Sequence, residues 1–163
     1  MINKVHMDKS QVIKTETEAL LSKMVDKFSV EVVDEEGIFQ VIIKTEEEVS
    51  TVIGRHGETI RAIQKILEVI LYKQFGEAVE ILVNVNDFRE KQKERLEILA
   101  SEYAEKTQSS HSPSFIRNLS SYERKLIHEY VTKNYPELTT YSIGEGRDRR
   151  LVVDMKTNTP VSA

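Results

Sequence analysis

The chain has 163 residues, of which 39% are hydrophobic and 31% charged, a composition that excludes a disordered polymer and suits one ordinary or two small folded domains. It has no cysteine, which excludes a disulfide framework and a thiolate metal site. The net charge of −4 counts against nucleic acid as a ligand, but it is unevenly spread: residues 1–87 carry 10 Lys and Arg against 16 Asp and Glu, and residues 88–163 carry 13 against 11. Contact with phosphate depends on the local potential at a groove, so the clusters matter more than the total. No signal-peptide core and no apolar run of membrane-spanning length is visible, which predicts a cytoplasmic protein with no direct membrane insertion.

Residues 1–14 are expected to be flexible. Thr15-Glu16-Thr17-Glu18 reads as a capping box, and behind it Leu20, Leu21, Met24, Val25 and Phe28 fall on one helical stripe. Residues 29–33 and 38–44 are β-branched runs joined by Asp34-Glu35-Glu36-Gly37, which predicts a hairpin. A short helix over 46–53, with Glu46, Glu47 and Glu48 as a solvated first turn, runs into Gly54-Arg55-His56-Gly57. A longer helix follows to about residue 74, with Ile60, Ile63, Leu67, Ile70 and Leu71 inward, and Gly76 stops it. Residues 79–85 read as a third strand. The order over 15–86 is α-β-β-α-α-β.

Asp87 is a plausible N-cap for a charged helix over 87–108, with Leu96, Leu99 and Tyr103 as its apolar seam, expected to connect two domains. Residues 107–113 are a polar, turn-rich loop and 115–119 a short strand. Ser120-Ser121-Tyr122-Glu123 is a second capping box, opening a helix to about residue 134 before Pro136. Strands over 139–143 and 149–155 are joined through residues 144–148. The second domain, 109–156, therefore completes an α-β-α-β-β order with its preceding helix, and 157–163 are expected to be flexible. The fold class is α+β.

Two constellations carry chemistry. In the first, Gly54 and Gly57 lack Cβ atoms and let backbone approach a sugar-phosphate, while the next helix offers N–H groups and a positive dipole end. Arg55, His56 and Arg61 surround that turn, and Ile53 and Ile60 flank it; Glu58 suits a helix start but puts negative charge near the phosphate path. A bare G-x-x-G is also an ordinary helix-turn corner. Here the flanking aliphatics and the element order match the KH pattern V-I-G-x-x-G-x-x-I, and KH domains clamp about four unpaired nucleotides. A helix and strand ahead of the β-α-α-β core resembles type II KH domains, found mainly in prokaryotes.

In the second, Arg124 and His128 are four apart and share a helix face, beside Lys125 and near Arg117 or the hairpin residues Arg147, Arg149 and Arg150. A guanidinium next to an imidazole suits phosphate and base contacts, although an exposed basic face with an incidental histidine has the same spacing. Arg-x-x-x-His on a capped helix before a basic hairpin resembles the single-stranded nucleic-acid-binding domain named for that motif. His6 and His111 lie in expected flexible segments, and no metal site or cofactor is expected.

Taken in order, Ile53-Gly54-Arg55-His56-Gly57-Glu58-Thr59, Phe88-Arg89-Glu90-Lys91, Tyr122-Glu123-Arg124 with His128, Tyr141-Ser142, and Glu145-Gly146-Arg147-Asp148-Arg149-Arg150 resemble the bacterial Jag family, also called KhpB and named as SpoIIIJ-associated. The chain begins too close to its KH segment to hold the N-terminal Jag domain of many members, so roles tied to that part, such as membrane association, are not expected of it. The resemblance implies a non-enzymatic RNA chaperone or post-transcriptional regulator affecting cell shape and division. Its partners would be single-stranded RNA, with single-stranded DNA as a second ligand, and a small single-KH protein. A protein-interaction adaptor that dimerises through the KH fold is the alternative. An RNA-processing enzyme using His128 as base lacks a visible partner acid or metal.

Overall fold

The computed structural model describes residues 8–158, and the chain divides into two compact units, Met1–Arg89 and Glu90–Ala163. Each unit is a small α+β domain.

The first unit opens with α1, Lys9–Leu21, capped by Asp8, whose carboxylate accepts the Ser10 N–H at 3.1 Å. The expected cap at Thr15 is not used. Thr15 and Thr17 bond back to the carbonyls of Gln11 and Ile13 inside the helix. The earlier start wins because Ile13, Thr17 and Leu21, spaced by four, form one buried stripe that a helix beginning at residue 16 would cut in half. Residues 8–14 are therefore ordered, contrary to expectation, whereas residues 1–7, with His6, lie outside the described residues. Met24, Val25 and Phe28 follow the helix and pack from a loop instead of continuing the stripe.

Strands β1, Ser29–Glu35, and β2, Ile38–Lys44, form the expected antiparallel hairpin. Glu36 and Gly37 take positive φ, and the Asp34 carboxylate accepts the Gly37 N–H at 2.9 Å. The chain then passes through α2, Val49–Ile53, and α3, Glu58–Phe75, to β3, Ile81–Val85, which lies parallel to β2. A parallel neighbour requires such a helical crossover. The sheet order β1-β2-β3 and the element order α-β-β-α-α-β are those of a type II KH domain. Ile60, Ile63, Leu67 and Leu71 of α3 are buried in its core, whereas Ile70, expected inward, is half-buried. Residues 46–48 stay outside the helix, and Glu48 turns the chain into it with φ of 54°.

The turn between α2 and α3 is left-handed at three positions, with φ of 70° at Gly54, 53° at His56 and 74° at Gly57. A Cβ at Gly54 would stand 2.1 Å from the Thr59 Oγ1 and 2.7 Å from the Thr59 backbone N. A Cβ at Gly57 would meet the Phe88 ring at 2.8 Å.

The second unit comprises most of α4, Phe88–Ser110, then β4, Ser114–Ile116, α5, Ser121–Asn134, β5, Leu138–Ile143, and β6, Arg150–Met155. Its antiparallel sheet runs β4-β6-β5. Helix α4, expected to be a connector, is an integral wall of this unit: Leu96, Ala100 and Ala104 share a core with Ile127, Val131, Leu151 and Val153. Strand β4 ends before residue 119 because Asn118 adopts φ of 57°, outside the extended region. The expected capping box at α5 is present in full. Ser120 Oγ accepts the Glu123 N–H at 3.2 Å, and Glu123 Oε2 accepts the Ser120 N–H at 2.8 Å. Glu123 is fully buried, and its Oε1 also accepts from Arg95 at 2.8 Å and Gln92 at 3.4 Å.

Two stability outcomes follow from these contacts. Ser120→Ala removes one half of the box and should cost about 1 kcal/mol, whereas Glu123→Ala, which also strands Arg95 and Gln92, should cost about 3 kcal/mol; denaturant midpoints of the two variants check the order. Gly54→Ala, which drives a Cβ into backbone, should destabilise more than Gly57→Ala, which meets a movable ring, with each costing about 1 kcal/mol or more. Equal melting temperatures for the two glycine variants would contradict that ranking.

Candidate nucleic-acid interface

At the first unit the surface around the Gly54–Gly57 turn is built from the ends of two helices. Helix α3 begins at Gly57 with no side-chain cap; instead the turn closes on itself, the Gly57 N–H donating to the Gly54 carbonyl at 3.2 Å and the Glu58 N–H to the Arg55 carbonyl, with the Thr59 side chain packed against Gly54. Arg55 is exposed and His56 half-buried, so both project from the turn itself. Arg61, exposed one helical turn on, spends Nη1 on the His56 carbonyl at 2.9 Å and thereby braces the turn while remaining beside it. Glu58 sits in the first turn of α3, where the helix dipole favours it. Ile53 is half-buried against the core. Ile60 corrects the expectation from sequence: at 2% exposure it belongs to the core and holds the helix, and it cannot touch a ligand.

Two residues here were not singled out by chemistry in the sequence. Strand β3 is a sheet edge, and the Val83 N–H donates to Gln64 Oε1 at 3.1 Å. Arg89 Nε donates to the Val83 carbonyl at 2.7 Å, and its Nη2 to the same Gln64 oxygen at 3.2 Å. The Phe88-Arg89 pair thus packs on Gly57 and closes the edge of β3. Only the fold, which brings residues 64, 83 and 89 together, reveals this role.

At the second unit α5 and β5 face each other across a cleft of about 400 Å³ lined by Ser121, Arg124, Lys125, His128, Thr140, Tyr141, Ser142, Arg149 and Leu151. Arg124 and His128 share a face as their spacing predicts, but they differ in role. His128 is exposed, and its Nδ1 is hydrogen-bonded to the Thr140 hydroxyl, which fixes the ring against β5. Arg124 is half-buried and donates to the Leu119 carbonyl at 2.8 Å and to Ser121 Oγ at 2.9 Å. It is therefore also a brace for the loop before α5, and not the purely solvent-facing residue that spacing alone suggests. Burial, and then the positive charge of Arg149, pull the Arg124 guanidinium below the ordinary arginine range. Two guanidinium groups that disfavour each other across a cleft are both relieved by an anion placed there.

The remaining basic residues separate. Lys125 lines the cleft and pairs with Glu129 at 3.8 Å. Arg117 follows β4 at an exposed position, and Arg147 lies exposed in a short 3-10 turn, neither among the cleft residues. Arg150 packs its guanidinium over the Phe115 ring. Thr140, missed in the sequence, and Ser142, noted there only as part of the family resemblance, are legible from strand alternation, which puts both on the side of β5 that faces α5. Among the described residues, no group of three or more His, Asp and Glu side chains converges as metal ligands would, and no helix is long and apolar enough to cross a membrane.

Comparison with known proteins assigns both units. Residues 11–83 match the family model for the KhpA/KhpB KH domain, and residues 94–154 match that of the R-three-H domain. The second match includes most of α4, as its burial in the second core requires. Three relatives each bear the name RNA-binding protein KhpB. That of Lactiplantibacillus plantarum is 33% identical over 104 residues, 64% of this chain and 32% of the relative. That of Bacillus subtilis is 31% identical over 114 residues, 69% of this chain and 54% of the relative, and that of Streptococcus pneumoniae is 30% identical over 103 residues, 63% and 31%. The matched part thus spans between about a third and half of the length of these relatives. With a KhpA/KhpB-type KH domain and an R-three-H domain in that order along one chain, the protein belongs to the Jag/KhpB family.

Proposed function

We propose that this protein binds single-stranded RNA through two surfaces, the Gly54–Gly57 turn of the KH domain and the Arg124/His128/Arg149 cleft of the second domain, without catalysing a reaction. The observation that carries the reading is the second cleft: two guanidinium groups line it, one of them perturbed by burial and then by the charge of the other, beside an exposed imidazole held by a hydroxyl. Such a set suits a phosphate with an adjacent base edge. At the first surface the exposed Arg55 and Arg61 supply charge beside the turn. In this reading the exposed Arg147 and Arg117 extend the phosphate track outside the cleft, and single-stranded DNA is a second ligand of the same chemistry.

The relatives named as RNA-binding proteins support the same reading. The role we infer is that of an RNA chaperone or post-transcriptional regulator affecting cell shape and division, acting in the cytoplasm with a small single-KH protein as partner. An apolar cavity of about 660 Å³ lined by Ile38, Val69, Tyr72 and Val79 on the KH domain supports a protein partner. It also favours the second reading, an adaptor in which protein contact is the main activity. RNA affinity that falls steeply with salt supports the first reading, and no binding even at low salt supports the second.

Two measurements test the surfaces separately. Replacing Arg55 and His56 together by Asp should abolish RNA binding by the KH surface while leaving circular dichroism unchanged, because two carboxylates at an exposed turn repel the phosphate. Unchanged affinity in that variant would remove the turn from the interface. In the cleft, Arg124→Ala and Arg149→Ala should each flatten the dependence of log affinity on log salt by about one. Arg124→Ala should also lower stability by about 1 kcal/mol, since the Leu119 carbonyl loses its donor, and Arg149→Ala should not; stability loss with an unchanged salt slope in both would make the pair structural.

A further inference from the structure

The second sheet has two faces of unlike character. Helices α4 and α5 cover the one that carries Ile116, Leu138, Leu151 and Val153. Strand alternation sends Phe115, Tyr141, Arg150 and Val152 to the opposite face. Val152 on the central strand stands directly opposite Phe115 on one side and Tyr141 on the other. It is 1% exposed, whereas Phe115 is 45% and Tyr141 40% exposed. Two strand spacings separate the aromatic positions by about 10 Å.

A single exposed ring needs no explanation. Here two rings flank one buried valine, and a cation lies on one of them. The half-buried Arg150 guanidinium is 5.2 Å from the Phe115 ring centroid, and its Nε is buried without a hydrogen-bond partner. The other charge that the strands place on this face, Asp154, is 4% exposed and saturated from within. It accepts from the Met155 N–H at 2.8 Å, Asn158 Nδ2 at 3.0 Å and the Tyr141 hydroxyl at 3.4 Å. Burial, the Asp154 charge and that hydrogen bond, in this order, hold the Tyr141 phenol above its ordinary range, so the ring stays neutral. The face therefore offers two flat rings, held apart by the buried Val152, and one cation.

That combination selects its occupant. An apolar helix laid here would press carbon against the Arg150 charge and leave it unpaired, which is costly. An unpaired base presents a π face to ring and guanidinium alike, and the phosphates of the same strand complement the charge. We propose that this open face of the second sheet is a stacking platform for unpaired bases of a single-stranded nucleic acid, one base lying on the Phe115–Arg150 stack and another on Tyr141. The inference rests on the reading of the chain as a binder of single strands, and it adds base contacts to the phosphate contacts of the cleft, which Tyr141 also borders.

The test uses the full chain, a short single-stranded RNA and the same RNA backbone carrying abasic sites. Phe115→Ala and Tyr141→Ala should each weaken binding to intact RNA by roughly five-fold or more, with the salt slope unchanged. Phe115→Tyr and Tyr141→Phe, which keep the rings, should bind as the wild type does. On abasic RNA the alanine variants and the wild type should converge. The proposal is overturned if alanine variants with wild-type circular dichroism bind intact RNA undiminished, or lose as much on abasic RNA as on intact RNA. A change in oligomeric state with RNA affinity untouched would make the face a protein interface and overturn it equally. An unchanged salt slope in Arg124→Ala and Arg149→Ala would remove the cleft yet leave the aromatic effect standing, and a wild type that binds no single strand would end both.

Discussion

The first few backbone N–H groups of an α-helix have no partner within the helix, and this structure resolves that constraint in opposite ways at its two candidate sites. Helix α5 is closed by Ser120 and Glu123, with the Glu123 carboxylate buried and held by Arg95 and Gln92. Helix α3 has no side-chain cap and starts from a glycine in the left-handed region. At α5 side chains meet the first donors, whereas at α3 the turn's own carbonyls do so, the Gly57 N–H donating to Gly54 and the Glu58 N–H to Arg55. The KH surface is thus built from backbone, and the second cleft from side chains standing on a helix whose own start is already satisfied.

That difference sets what each surface requires of its residues. Around Gly54–Gly57 the requirement is steric: Thr59 fills the space a Cβ at Gly54 would take, and the Phe88 ring fills it at Gly57. Around Arg124 it is electrostatic. The Leu119 carbonyl and the Ser121 hydroxyl hold the guanidinium near Arg149, where burial and like charge both act on it. Anchored side chains lose less conformational freedom when a ligand arrives, so part of the ordering cost of binding is met on folding.

The sequence made the strand and helix order of both units legible, because β-branched runs and the α3 stripe have clear periods and the Ser120–Glu123 box marks its helix start directly. It misplaced the start of α1, since Asp8 and Thr15 are both good caps and only burial of Ile13 decides between them. It read α4 as a connector because that helix is charged on most of its surface; its buried face is largely alanine and leucine and gives a weak periodic signal. At the sites, spacing put Arg124 with His128 but could not show that Arg124 is anchored or that Ile60 is interior. Gln64 stayed invisible, and Arg89 stood out only within the family motif, because their shared partner, Val83, is distant from Gln64 in sequence.

The net charge of −4 is the observation that fits least easily with a single-stranded ligand, and local bookkeeping answers it. Salt screens exposed charges beyond about 8 Å at physiological ionic strength, so a ligand phosphate responds mainly to the groups it touches. In the cleft those groups are Arg124, Lys125, His128 and Arg149, with Ser121, Thr140 and Ser142 as neutral hydrogen-bonding walls and no carboxylate among the lining residues. On the open sheet face the carboxylate of Asp154 is turned inward and occupied by three donors. At the KH turn Glu58 faces the positive end of its own helix, which offsets part of its field. The acidic total therefore weakens long-range attraction between protein and polyanion without removing the contacts made at short range, and recognition is left to geometry and stacking more than to steering.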